Sequence, residues 1–160
     1  MKLTFPPVIT FGCLIIQFLL FNLLPLSVDL SLLFGFLLLV GSIGCIALAV
    51  RELFKNETTI IPDGQPEKLV TTGPFSFSRN PIYLGMAGIL ISSACFMQSL
   101  SALVIPVIFV LIIHKTWIPH EEVKLKEKFG KDWEKYAAST SRWLGYNFIE
   151  IFFPFCVTIL

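Results

Sequence analysis

The sequence predicts an all-α integral membrane protein with about four transmembrane helices and a cytoplasmic amphipathic helix roofing a site. Hydrophobic residues make up 55% of the 160 residues and charged residues only 14%, where a soluble domain carries about a quarter charged. The apolar residues fall in runs near the roughly 20 residues a spanning helix needs. All 12 lysines and arginines fall in three short regions of the chain. The length suits one membrane domain, residues 1–160.

The first two runs, residues 5–26 and 30–50, predict a two-helix anchor over residues 1–50, turning at Asn22, Pro25 and Asp29. A single lysine precedes the first run and no small-residue cleavage site follows it, so the run is expected to stay as an anchor. The second run stops at Arg51–Glu52. A polar segment, residues 51–81, carries turn formers: Pro62, Asp63, Gly64, Pro66, Gly73 and Pro74. Residues 82–118 predict a tight helical hairpin split at Gln98–Ser99, with Pro106 tolerated or kinking and Pro119 ending the second helix.

Residues 119–142 differ in character. Leu125, Phe129, Trp133 and Tyr136 recur at helical spacing, with Lys124, Lys128, Lys131 and Lys135 off that stripe. This predicts one amphipathic helix lying on the membrane or closing over a site. Residues 143–160 form an interfacial segment whose apolar part, residues 148–160, is broken by Glu150 and Pro154.

If the N-terminus faces the cytoplasm, so do Lys2, residues 51–79 and residues 115–142. Those regions hold every lysine and arginine, and the two opposite turns hold none. Four spans satisfy the positive-inside rule on these terms. Net charge is +1, which offers a nucleic acid no basic footprint, so membrane lipids are the expected surroundings. Cys13, Cys45, Cys95 and Cys156 sit inside apolar runs without a CxxC or a nearby histidine pair. They read as small buried hydrophobes, with no disulfide framework and no metal site.

Two segments carry candidate chemistry. In the first, Gly73–Pro74 gives a turn and Asn80–Pro81 a second break, with Asn80 as N-cap and Pro81 as the first residue of the third helix. Arg79 then stands near the positive end of that helix, a place the helix dipole does not favour. It reads as a snorkelling, positive-inside arginine or as an anion clamp. Gly85 and Gly88 permit close helix packing. In the second segment, Glu121 and Glu122 flank the direction of Leu125 and so lean toward the apolar stripe. They serve a helix start, or they hold a cationic group in an apolar site.

Taken together the segments resemble the isoprenylcysteine carboxyl methyltransferase family and its phospholipid methyltransferase relatives. The first block is Gly73, Phe75, Arg79, Asn80, Pro81, Tyr83 and Gly85. The second is Glu121, Glu122, Leu125, Phe129, Gly130, Trp133 and Tyr136. Both stand in order around a hairpin, and the resemblance covers residues 69–142; the first two spans match only in being hydrophobic. It implies S-adenosyl-L-methionine as methyl donor and a lipidic or prenylated methyl acceptor at the cytoplasmic face. Lys68, Leu69 and Val70 would line the cofactor, as would Phe75, Asn80, Pro81, Ile82 and Tyr83. Glu121 would contact it, and Arg79 and Glu122 would be the catalytic pair. Two departures stand out. Asn80 occupies a place where the family often has histidine, and asparagine cannot take a proton at neutral pH. Trp117 stands where the family often has an arginine that contacts substrate, with His114 and Lys115 upstream. His114 and His120 are the nearby titratable groups, each read as structural or interfacial.

The chemistry suits the membrane boundary. A sulfonium donor is cationic and polar and enters from the cytosol; a lipidic acceptor enters from the bilayer, and transfer requires in-line positioning. Two other readings fit less of the chain: an NADPH-dependent membrane reductase of the sterol reductase type, and a non-catalytic membrane protein keeping the fold.

Overall fold

The computed structural model describes residues 6–58 and 67–144. Lys2, the turn formers Pro62 to Pro66, Cys156 and the apolar segment 148–160 lie outside the described residues. The described chain is helical: α1 Pro6–Leu23, α2 Leu32–Lys55, α3 Pro81–Met97, α4 Leu100–Lys115, α5 Trp117–Phe129 and α6 Lys131–Ser139, with a 3-10 turn at Gly73–Ser76. Pro6–Leu23, Leu32–Lys55 and the near-continuous Leu100–Phe129 are long and apolar enough to cross a membrane, while Pro81–Met97 is a shorter apolar helix.

Most helix ends follow the sequence chemistry. Ser31 caps α2 by accepting from the Phe34 amide, and Ser99 caps α4 by accepting from the Ala102 amide. Gln98 closes α3 in the left-handed region, φ 50°, which makes the tight hairpin turn. Three expectations change. α2 does not stop at Arg51–Glu52 but runs one turn further to Lys55; there the chain has left the apolar run, and charged residues no longer oppose a helix. Pro119 does not end the fourth helix; the break is at Thr116, and Pro119 sits in the first turn of α5, where a missing N–H costs nothing. The single amphipathic helix over residues 119–142 is two helices, because Gly130 at φ 50° and ψ −118° breaks the ladder between Phe129 and Lys131.

α2 joins the bundle through α3, and α1 packs on α3 and α4. At Gly85 and Gly88 the α2–α3 contact has no room for a side chain on α3. The buried residues of α2 are Gly35, Ser42 and Ala49, at every seventh position. A Cβ at Gly85 would lie 2.5 Å from Ile46 Cγ1 and 2.8 Å from the Ser42 carbonyl oxygen; one at Gly88 would lie 2.1 Å from Ser42 Oγ. Apolar burial drives little association where lipid replaces water, so such close backbone packing supplies the attraction. The outer faces stay apolar: Phe11 and Leu33 are 65% and 67% exposed, which suits lipid contact.

Polar groups inside the bundle are paired. Pro106 has no amide to bond the Ala102 carbonyl one turn earlier. Gln17, fully buried on α1, donates to that carbonyl at 3.0 Å and to the Leu90 carbonyl at 2.9 Å, while Ser93 Oγ donates to Gln17 Oε1 at 2.6 Å. At one end of the bundle the two turns without lysine or arginine bond to each other, Val28 N–H to the Gln98 carbonyl and Leu100 N–H to the Leu26 carbonyl. The opposite end therefore gathers the start of α1, the end of α2, the start of α3 and the end of α4.

The seam makes a comparative expectation. Gly85→Ala must push backbone apart and should cost about 1–3 kcal/mol. Gly44→Ala, on the same bundle but with nothing within 4 Å of the added carbon, should gain about 0.5–1 kcal/mol of helix stability. Thermal unfolding in detergent separates them; equal melting temperatures would contradict the seam.

Candidate active site

A cavity of about 410 Å³ lies at the charged end of the bundle, within the roughly 300–1,000 Å³ of small-molecule sites. One wall is apolar and comes from Pro6 and Pro7 of α1, Ile46, Val50 and Leu53 of α2, and Met86 of α3. The other comes from the segment before α3, the first turn of α3, α5 and α6.

Local bonds explain how the segment before α3 reaches the cavity. Thr58 Oγ1 accepts from the Glu67 amide at 2.9 Å, which lays Lys68, Leu69 and Val70 against the end of α2. Thr72 Oγ1 donates to Glu52 Oε1 at 2.6 Å. Gly73, at φ 61°, supplies the left-handed turn, and the Tyr136 hydroxyl donates to the Phe75 carbonyl at 2.7 Å. Burial pushes the Tyr136 hydroxyl above its ordinary pKa, so it stays a donor.

Asn80 stands at the N-cap position of α3, with Pro81 at the first helical position, but its side chain does not cap the helix. It donates instead to the Arg142 carbonyl at 2.9 Å, and Ser78 Oγ donates to the same oxygen at 3.2 Å. The Arg79 amide donates to the Ser141 carbonyl at 2.8 Å. The competing acceptor is the irregular segment after α6, which folds back over this loop.

The two adjacent glutamates differ sharply. Glu122 accepts from Arg142 Nε at 3.0 Å and Nη2 at 2.5 Å, and stands 3.1 Å from Arg79 Nη1. The Arg79 guanidinium also lies 5.5 Å over the Trp133 ring, a cation–π contact. Trp133 in turn packs edge-on against Tyr136 at 5.7 Å. Glu121 accepts from the Tyr83 hydroxyl at 2.5 Å. The charged residues of α5 set it apart from the apolar helix α4. There burial pushes Glu121 up to about 7, opposed by the Tyr83 hydrogen bond and by Lys124 and reinforced by the neighbouring Glu122.

Every residue proposed as catalytic or cofactor-binding lines this cavity: Lys68, Leu69, Val70, Phe75, Arg79, Asn80, Pro81, Ile82, Tyr83, Glu121 and Glu122. Trp133 and Tyr136, members of the stripe and of the second motif block with no site role assigned to them, line it too. Arg142 was missed. It follows the end of α6, and no periodicity aims it at Glu122. The α1 and α2 wall was missed as well; the small residues Gly35, Ser42 and Ala49 at sevenfold spacing were its available signal.

A family model of phospholipid methyltransferases matches residues 30–132. The chain belongs to the phospholipid methyltransferase family. The match begins ahead of α2, so α2 is part of the family region and not merely a hydrophobic anchor. No curated protein and no solved structure matches the chain.

Glu122 holds two guanidinium groups at low exposure, and removing its charge leaves both facing each other. Glu122→Gln should lower stability by roughly 2–3 kcal/mol, read as a fall in melting temperature in detergent.

Proposed function

We propose that the cavity binds S-adenosyl-L-methionine and that the protein methylates a lipid-soluble acceptor at the cytoplasmic membrane face. The observation that carries this reading is the convergence of both motif blocks on one cavity, with a buried carboxylate on one side and an apolar wall on the other. The residues suit such a cofactor. Glu121 offers a carboxylate to a cationic group, Arg79 offers a guanidinium to an anionic one, and Phe75, Ile82 and the Lys68–Val70 backbone offer contacts to a flat heterocycle. When bound, it supplies an electrophilic methyl group on a sulfonium centre.

The chain's own residues then have separable tasks. Tyr83 orients Glu121 through its hydroxyl. Glu122 and Trp133 hold Arg79 in place, and Arg79 is the candidate to orient an anionic group of cofactor or acceptor. Both oxygens of Glu122 are taken by guanidinium groups, which favours a holding task for it over direct contact with the reacting atoms. The Pro6, Pro7, Ile46, Val50 and Leu53 wall suits the hydrocarbon of a lipid. A cytoplasmic site is supported by charge: the described lysines and arginines cluster at the cavity end, and the turns at the other end carry none. On this reading all four helices α1–α4 traverse the bilayer, with α3 shortened because it starts inside the site.

The family match favours a phospholipid amine as acceptor over a prenylcysteine carboxylate. Membranes containing the protein, incubated with methyl-labelled S-adenosyl-L-methionine, should yield base-stable label in the lipid extract. Base-labile label would mark a methyl ester and replace the amine; tight NADPH binding without S-adenosyl-L-methionine binding would overturn methyl transfer altogether.

The acid also makes affinity depend on pH. With Glu121 at about 7 in the free protein, a bound cation favours the carboxylate form and lowers that value. Affinity for S-adenosyl-L-methionine should therefore rise as pH is raised through about 7 and level off a unit above, with proton release from the protein to the buffer on binding below it. Glu121→Gln should weaken binding and flatten the profile in calorimetric titrations across pH.

A further inference from the structure

We infer that Arg142 is a positioning residue that holds Arg79 in its working place by way of Glu122. Arg142 is not part of the cavity lining. It stands behind Glu122 and makes two bonds to it, Nε to Oε1 at 3.0 Å and Nη2 to Oε2 at 2.5 Å. This two-point fork fixes the plane of the carboxylate. Oε1 then faces Arg79 Nη1 at 3.1 Å. The same short segment fixes the backbone on which Arg79 is carried. The Ser141 carbonyl takes the Arg79 amide, and the Arg142 carbonyl takes the side chains of Ser78 and Asn80, the residues on either side.

The segment is itself anchored. Thr140 is extended at φ −131° and ψ 131°, so the carbonyls that follow have no helical partner and are available to the loop. Trp143 is buried, and its Nε1 donates to His114 Nδ1 at 3.2 Å; Arg142 Nη1 lies 3.4 Å from His114 Nε2. One segment thus ties the end of α4, Glu122 of α5 and the loop before α3. Arg79 is 14% exposed and Arg142 32%, so the inner guanidinium faces the cavity and the outer one faces outward. A lysine in place of Arg142 would keep the charge but reach only one carboxylate oxygen at a time.

The kinetic test of this inference rests on the methyl-transfer reading; the chemical one does not. In the full-length protein, Arg142→Ala should change the rate of label transfer into lipid and the KM for S-adenosyl-L-methionine in the same proportion as Arg79→Ala does, with a loss of about 100-fold for misplacement of this kind. The double variant should be no worse than Arg79→Ala alone, and Arg142→Lys should recover part of the loss. Losses that add in the double variant, or wild-type activity in Arg142→Ala, would overturn the inference. Independently, phenylglyoxal should modify Arg79 slowly in the wild type and roughly tenfold faster in Arg142→Ala, equivalent to ~1.4 kcal/mol of lost holding energy, read by peptide mass mapping. Equal rates would overturn it. If Arg142→Ala does not fold, Arg142→Lys carries both measurements, with an intermediate modification rate expected and an unchanged one fatal. If the wild type transfers no methyl group, the methyl-transfer reading fails and the modification rates alone decide the positioning.

Discussion

At Gly85 and Gly88 of α3 there is no space for a side chain against α2, and the rest of the molecule is arranged around that fact. Ser42 and Ile46 of α2 lie where those two glycines have no Cβ. The missing side chains let α2 approach the α3 backbone directly, which suits a medium where packing must do what apolar burial does in water. The first turn of α3 is consequently pinned beside the last turns of α2, with Cys45 Sγ 3.4 Å from the Pro81 carbonyl. Pro81, Ile82 and Tyr83 thereby face the same space as Ile46, Val50 and Leu53. The cavity exists because one helix begins, at close range, where another ends.

The remaining polar groups are divided between two tasks by depth. Inside the bundle they repair the backbone. Pro106 would orphan the Ala102 carbonyl, and Gln17 supplies the missing donor while its own oxygen is met by Ser93. At the charged end they hold the site. Glu52, Thr58, Tyr136 and the chain after α6 each bond a backbone or side-chain group of the segment running from Glu67 to Asn80. That segment has little regular structure of its own, so its shape is imposed by groups reaching in from α2, from α6 and from the residues that follow each.

What could be read from the sequence follows from this division. Apolar runs and charge placement are properties of whole segments, so the helices, the tight turn at Gln98 and the charged end were all legible. The motif spacing brought every proposed site residue to one cavity, because residues at fixed offsets from a helix start have little freedom in direction. The break at Gly130 was less legible: the stripe through Leu125, Phe129, Trp133 and Tyr136 keeps its spacing across a glycine, and periodicity does not report a positive φ. The Asn80 side chain was assigned to a cap on local grounds, but a carbonyl 62 positions later competes for it. Arg142 was invisible for the same reason. Its bond to Glu122 spans 20 residues and one change of direction, and nothing in a one-dimensional pattern encodes that return.

The acid pair shows how neighbouring residues of one type come to differ. Successive residues on a helix point about 100° apart. On α5 that angle sends Glu122 toward Arg79 and Arg142 and Glu121 toward the Tyr83 hydroxyl. Glu122 has both oxygens engaged by two guanidinium groups, so it is committed to geometry. Glu121 accepts from the neutral Tyr83 hydroxyl and sits near 7 because burial opposes its charge. A group so poised gains most from an arriving cation, since the cation removes the cost that burial imposes. On the proposed reading, the first glutamate answers the ligand while the second holds the arginine.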